Sequence, residues 1–279
     1  MSDVVRDILA EWEFPIWLTL SLLLTGVVYT RGWIQIRNTR RAHFTAGKLA
    51  WFWGGLVMLW LAVGSPVDGF ADALLSVHMI EHTFIISVVP PMLLLAHPTV
   101  PLLRGIPRGV LRKVVAPFVR TRWFHAFWQR FMTPIVAWFA LSVTFLTWHV
   151  PGAYNLALES EGWHDFEHFC FFVASLFFWQ FVILPWPSQR KWNWGTILYL
   201  VAADAVNTVL SAFLALCDRP IYAYYLEHPN PFNVGLLKDQ VLGAAAMWVL
   251  GSIAFLVPAV VISVLLLQPQ RPLSVPTVP

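Results

Sequence analysis

The sequence predicts an all-α membrane protein, a polytopic bundle of seven transmembrane helices. Of the 279 residues, 58% are hydrophobic and only 12% are charged, whereas a soluble domain has about 25% charged residues. The apolar residues are grouped in blocks, and a helix of about 20 such residues crosses the hydrocarbon core. Because the blocks lack the two-residue alternation of membrane strands, we predict helices.

Seven apolar blocks define the predicted spans. We expect one domain over residues 1–267 and a disordered, Pro-rich tail at 268–279. The N-terminal stretch MSDVVRDILAEWEFP has no basic region and no small-residue cleavage site, so we expect no cleavable signal peptide. The spans are predicted near residues 15–30, 49–64, 73–96, 133–150, 163–185, 195–217 and 240–267.

The basic residues are strongly segregated, although the net charge is only +3. Of the 18 Lys and Arg residues, all but Arg6, Arg219 and Lys238 follow spans one, three, five or seven. The positive-inside rule then predicts an outside N-terminus and a cytoplasmic C-terminus. These basic connections fit anionic lipid headgroups rather than nucleic acid. The basic and aromatic stretch 104–130 predicts a helix lying in the inner membrane interface.

The motif His-x-x-Glu-His occurs twice, as HMIEH at 78–82 and HDFEH at 164–168. Each motif lies at the predicted outer start of a span, and His149 ends span four in the same layer. Histidines four residues apart share one helical face, about 6 Å apart along the axis, so both can bind one ion. The glutamates can bind directly or orient a histidine ring. The predicted metal ligands are His78, His82, His149, His164 and His168, with Glu81 and Glu167.

Polar residues deeper in the predicted bundle are weaker site candidates. Asp204 and Asn207 lie near the middle of span six, where an ionisable group indicates either function or an interhelical hydrogen bond. Asp239 and Met247 lie eight residues apart on span seven. Methionine is a soft ligand that favours Cu(I), but a buried methionine also fills core space.

Several metal chemistries are compatible with the two motifs. The pattern is similar to the zinc-binding motif of inverted zincins, in which glutamate is the general base. Four histidines and two glutamates could instead hold two irons, or one histidine from each span could ligate a haem. Copper or zinc, bound by imidazoles with carboxylate support, is the simplest fit.

Six segments follow one another in order: SPVDGFADALLSVHMIEH (65–82), PP (90–91), WHVPGAYNLALES (148–160), WHDFEHFCFFVASLFFW (163–179), CDRPIY (217–222) and DQVLGAAAMWVLG (239–251). Together they resemble the multi-spanning CtaG family of cytochrome c oxidase (caa-type) assembly factors, over residues 49–262. The resemblance implies a seven-helix protein that assembles haem-copper oxidase and has a role in copper handling. The five predicted histidine ligands match the family's histidine positions, and Asp218 and Asp239 match its acidic ones.

The leading hypothesis is therefore a non-enzymatic, copper-binding assembly factor in the bacterial plasma membrane. Its expected partners are membrane lipids, haem-copper oxidase subunits and a copper donor protein, with no nucleic acid. One alternative is a membrane metalloenzyme, either a zinc hydrolase or an iron or haem redox protein. Another is a structural scaffold for oxidase subunits, in which the tyrosine-rich loop 218–238 would matter more than the histidines.

Overall fold

The computed structural model of the protein describes residues 5–6, 9–10, 12–228, 230 and 232–268. Within these ranges the regular secondary structure is entirely helical, in agreement with the predicted all-α class. The proposed disordered tail at 268–279 lies outside the described residues, except for Gln268.

The first half of the chain contains two long helices, a broken span and several short helices. They are α1 (Ile16–Ile36), α2 (Ala46–Val63), α3 (Val67–Ala73), α4 (Leu75–Ser87), α5 (Val89–Leu95), α6 (Thr99–Gly105), α7 (Arg108–Val110), a π-helix (Leu111–Val115) and α8 (Ala116–Val119). The second half contains α9 (Arg122–Phe131), α10 (Pro134–Trp148), α11 (Pro151–Leu158), α12 (Glu161–Ile183), α13 (Trp194–Leu216), α14 (Tyr224–Glu227) and α15 (Leu236–Leu267).

Five helical segments in the described part of the chain are long and apolar enough to cross a membrane: α2, α4 with α5, α12, α13 and α15. A sixth results if α9 and α10, which are bent by 75°, form one span. The predicted first span corresponds to α1. This helix has 21 residues, but Tyr29, Thr30 and Arg31 reduce the hydropathy of its second half, and it is not among the five.

Proline and turn residues explain where the spans are interrupted. Pro90, at the start of α5, has no N–H to continue the helical hydrogen bonds. The helix is therefore interrupted at Val88, between the end of α4 at Ser87 and the start of α5 at Val89. Thr133 accepts a hydrogen bond from Val136 N and begins α10 after the bend. The preceding α9 has no buried residue and carries both Arg and aromatic side chains. The interfacial helix within 104–130 stays a prediction.

The bundle has two ends with different contacts. At the histidine end, α2, α10 and α13 end while α4, α12 and α15 begin. There Gln240 Nε2 donates to the carbonyl of Leu214 at 3.1 Å, which joins α15 to the last turn of α13. At the opposite end, Tyr29 Oη donates to the carbonyl of Ala96 at 2.7 Å, and Lys48 Nζ donates to the carbonyl of Leu95 at 2.6 Å. These contacts cover the unpaired carbonyls at the end of α5.

Two parts of the chain have the same order of elements. In the first, α2 is followed by the short α3 and then α4; in the second, α10 is followed by the short α11 and then α12. Each short helix starts at a proline, Pro66 at the N-cap and Pro151 at the first turn. Each His-x-x-Glu-His motif begins at the fourth residue of its helix. The two motifs therefore lie at the same depth.

Candidate metal centre

The two His-x-x-Glu-His motifs face each other across the contact between α4 and α12. The rings of His78 and His164 are stacked, with centroids 5.2 Å apart and planes at 14°. One turn deeper, the rings of His82 and His168 are 5.3 Å apart. Since the first histidines pair with each other and the last histidines do too, the helices run in the same direction here.

Four side chains form a compact donor group. One ligand atom from each of His78, His82, His164 and Glu167 lies within 4.8 Å of the other three. In a tetrahedral site with bonds of about 2.0–2.2 Å, donor atoms are roughly 3.3–3.6 Å apart. Small side-chain rotations would therefore let this group close around one ion.

Each glutamate lies beside the last histidine of the other motif. His168 Nε2 is 3.2 Å from Glu81 Oε1, and His82 Nε2 is 3.8 Å from Glu167 Oε1. Neither pair has hydrogen-bonding geometry, since all four atoms lack a hydrogen-bond partner. The glutamates are thus close enough to act as ligands or to orient rings, and their oxygens remain free.

The two motifs contain an unusual number of unsatisfied buried groups. Ten of their side-chain nitrogen and oxygen atoms are buried without a hydrogen-bond partner, including all four glutamate oxygens. Buried polar groups are normally paired, and a lone one costs about 1–3 kcal/mol. Imidazole nitrogens and carboxylate oxygens that converge in this way are donors for a transition-metal ion. The residues present therefore fit a bound metal.

His149 lies beside this cluster with one ring nitrogen available. Its Nδ1 donates to the carbonyl of Phe145 at 2.7 Å, while Nε2 is buried without a partner. A backbone acceptor on one nitrogen fixes the neutral tautomer that exposes a lone pair on the other. The His149 and His82 rings both contact Phe171, at centroid distances of 6.4 and 4.7 Å.

Three buried tyrosines, Tyr154, Tyr222 and Tyr225, pack beside the histidine cluster. The Tyr154 ring lies 5.0 Å from that of His78 and stacks on Tyr222 at 3.9 Å. Tyr154 and Tyr225 share a hydroxyl–hydroxyl bond of 3.2 Å, and Tyr222 Oη donates to the carbonyl of His149 at 3.3 Å. None of these tyrosines was predicted as a site residue. The sequence signal that could have identified Tyr154 and Tyr222 is that both occur in segments that also carry predicted site residues.

Asp239 holds the start of α4 instead of pointing at the histidines. Its carboxylate accepts hydrogen bonds from Leu75 N at 2.8 Å, from Ser76 N at 3.3 Å and from the Ser76 hydroxyl. A carboxylate at a helix N-terminus satisfies free N–H groups and interacts favourably with the helix dipole. Asp239 therefore positions the helix that carries the first motif, a role the sequence analysis did not anticipate.

Four acids form an acidic rim at the histidine end: Asp68 and Asp72 on α3, and Glu161 and Asp165 in the first two turns of α12. Burial, followed by repulsion from Asp72, Asp165 and Glu161, raises the pKa of Asp68 to about 7. Its Oδ1 is buried without a partner. Apart from Asp68, the rim residues are exposed. These acids were not predicted as site residues. Asp68, Asp72 and Glu161 lie within ten residues before a motif, and Asp165 lies inside the second motif.

The weaker site candidates lie elsewhere. Met247 and Asn207 line a cavity of about 30 Å³, together with Thr83 on the turn below His82. Asp204 accepts a hydrogen bond of 2.7 Å from Ser252, which joins α13 to α15. Asp218 is exposed after the end of α13. Neither Asp204 nor Asp218 is among the four grouped donors.

Comparison with protein families gives a match that includes every residue of this cluster. The cytochrome c oxidase caa3 assembly factor (Caa3_CtaG) family matches residues 27–268. The chain belongs to this family. The resemblance seen in the sequence motifs is thereby confirmed, and the match extends from the middle of α1 to the end of α15.

The chain is also similar to part of longer mycobacterial proteins. Uncharacterized proteins of Mycobacterium bovis and Mycobacterium tuberculosis are each 24% identical over 250 residues, and one of Mycobacterium leprae is 23% identical over 243 residues. The alignments cover 85–88% of this chain but only 36–37% of those relatives. No solved structure matches the chain.

Proposed function

We propose that the protein is a non-enzymatic cytochrome c oxidase assembly factor that binds copper and delivers it during oxidase maturation. Family membership supports the assembly role. The observation that carries copper binding is the set of ten unpaired buried donor atoms in the two motifs. Such a set is costly to bury empty and suits an ion held by imidazole and carboxylate groups.

The proposed topology is seven spans in the bacterial plasma membrane, with the N-terminus outside. Five of the seven spans are α2, α4 with α5, α12, α13 and α15, and α9 with α10 supplies the sixth. The seventh in this proposal is α1, whose 21 residues are long enough to cross. The basic connections would then be cytoplasmic, and the histidine end would face the external compartment.

Copper would reach the cluster through the acidic rim. Exposed carboxylates attract cations to the mouth of a site, and the half-buried His164 lies on the same two turns of α12 as Glu161 and Asp165. His78, His82, His164 and Glu167 would hold the ion, and the remaining residues of the motifs and His149 would be available for exchange. Imidazole must be neutral to bind metal, so the carboxylates can also accept released protons. The proposed partners are oxidase subunits and a copper donor protein.

The test compares wild-type protein with a double variant, His78→Ala with His168→Ala. We expect wild-type protein purified in detergent to contain copper, and the variant to lose it and to leave oxidase activity in the cells deficient. The exposed His125 gives a matched control, since His125→Ala should change neither quantity. Normal membrane copper and normal oxidase activity in the double variant, at equal protein level, would rule the proposal out.

A second candidate is a zinc-dependent membrane hydrolase, because three histidines and one glutamate are also a zinc donor set. In that case Glu81→Gln should abolish turnover while metal stays bound. An assembly factor would instead change in metal affinity or transfer. Haem between α4 and α12 is disfavoured, since the His78 and His164 rings are stacked 5.2 Å apart and leave no space for a macrocycle.

A further inference from the structure

The donors beside the four-ligand group point to more than one ion. We propose that the centre binds two transition-metal ions in adjacent subsites, an inference that rests on the proposed metal binding. The first subsite consists of His78, His82, His164 and Glu167. The second consists of Glu81 and His168 and is completed by the second oxygen of Glu167.

The number of unpaired atoms favours a second ion. One ion that takes one atom from each residue of the first subsite leaves six of the ten motif atoms buried without partners, among them both oxygens of Glu81, one oxygen of Glu167 and Nε2 of His168. A buried carboxylate with no compensating charge is especially costly. A second ion would satisfy these atoms of Glu81, Glu167 and His168 together.

The second set of donors is also assembled in space. Glu81 Oε1 and His168 Nε2 are 3.2 Å apart, close to the separation of two ligands on one ion. The His168 ring lies 4.2 Å from that of His164, which belongs to the first subsite. Two-metal sites have ions about 3.5–4 Å apart. Glu167, whose two oxygens are both unpaired, can bind one ion with each oxygen.

The charge of the surroundings allows two cations. One divalent ion neutralises only the two buried glutamates. Asp68 and Asp72 on α3, and Glu161 and Asp165 at the start of α12, bring further negative charge to the same end. The ligands are nitrogen and oxygen atoms without sulfur, a set that suits divalent copper or zinc.

The experiment is a titration of metal-free, full-length protein in detergent with copper(II) sulfate. Bound copper is counted by mass spectrometry and examined by electron paramagnetic resonance. We expect two coppers per chain and a resonance signal far below that of two isolated ions, because bridged Cu(II) ions couple magnetically. In Glu81→Gln and in His168→Ala we expect one copper per chain with the full signal of an isolated ion.

Two controls keep the outcome interpretable. His125→Ala should bind two coppers like wild type, and His168→Gln replaces the alanine variant if that one does not fold, as judged by its melting temperature. One copper per chain in wild-type protein, with an uncoupled signal, overturns the two-ion inference but leaves the proposed function intact. No bound copper in wild-type protein overturns both. Two uncoupled coppers that persist in Glu81→Gln and His168→Gln overturn the assignment of the second subsite.

Discussion

At the scale of single residues, the candidate metal site depends on side chains that position the proposed ligands without being ligands themselves. Asp239 accepts three hydrogen bonds from Leu75 and Ser76, one turn before His78. Leu74, the N-cap residue of α4, has no side chain that could do this. Because one motif must meet the other within a few tenths of an ångström to bind metal, displacement of this helix start should weaken the centre.

We predict that Asp239→Ala lowers both protein stability and copper affinity. The loss of a buried carboxylate cap should reduce the free energy of unfolding by about 1–3 kcal/mol, and loss of a supporting contact typically reduces metal affinity about 10–100-fold. Thermal melting and copper titration of the purified variant measure the two effects. Asp218→Ala, which removes an exposed acid, is the control and should match wild type. An Asp239→Ala protein with wild-type affinity would show that this cap does not position the motif.

The raised pKa of Asp68 predicts a pH-dependent stability of the metal-free protein. An acid whose pKa rises from 3.8 to about 7 on folding destabilises the fold progressively between about pH 4 and pH 7, because the folded state holds the proton more tightly. Asp68→Asn should therefore be more stable than wild type by roughly 2–4 kcal/mol at pH 8, and most of this difference should disappear at pH 4.5.

Melting of both proteins at the two pH values measures this effect, with the exposed Asp218→Asn as the control. Equal melting temperatures of wild type and Asp68→Asn at pH 8 would contradict it.

The same substitution should slow copper uptake, because it removes one charge from the acidic rim. A destabilising acid at this position is consistent with a role in attracting cations.

At the scale of helices, the sequence predicted the long elements better than the short ones. Block length and hydropathy were sufficient for α12 and α13, and the four-residue spacing predicted which face carries the histidines. The short α3, α6 and α11 have seven or eight residues each, too few to give a periodic signal. The facing of the two motifs depends on tertiary packing between α4 and α12, which spacing within one helix cannot reveal.

The contact between α1 and α6 gives a prediction at this scale. A Cβ atom on Gly105 would lie 1.8 Å from the carbonyl oxygen of Val28, and one on Gly32 would lie 1.8 Å from that of Pro101. Gly105→Ala should therefore force the helices apart and cost about 1–3 kcal/mol. Gly109→Ala is the matched control, because a Cβ there meets nothing within 4 Å. Thermal melting should separate the two variants, and copper content should stay unchanged in both. Equal melting temperatures would mean that the two helices do not need this close approach.

At the scale of the whole molecule, charge and chemistry are separated along the bundle. The buried imidazoles and the acidic rim lie at the histidine end, whereas most Arg and Lys residues lie in connections at the other end. Anionic lipids attract the basic connections, and the positive-inside rule predicts that these connections are cytoplasmic. The orientation of the bundle in the membrane then decides which compartment the cluster faces. A protein of the same fold inserted the other way would present the candidate metal site to the opposite compartment.

We predict that the histidine end faces the outside of the cell. Single cysteines can report this in a background of Cys170→Ser with Cys217→Ser, because both native cysteines are free. Asp218 and Arg190 are exposed near opposite ends of the bundle, so Asp218→Cys and Arg190→Cys form a matched pair. A membrane-impermeant maleimide added to intact cells should label Asp218→Cys, and it should label Arg190→Cys only after the membrane is permeabilised. The reverse pattern would place the cluster on the cytoplasmic side and exclude delivery of copper from the external compartment. Labelling of both positions in intact cells would contradict the membrane crossing by α13, which separates Arg190 from Asp218 in this topology.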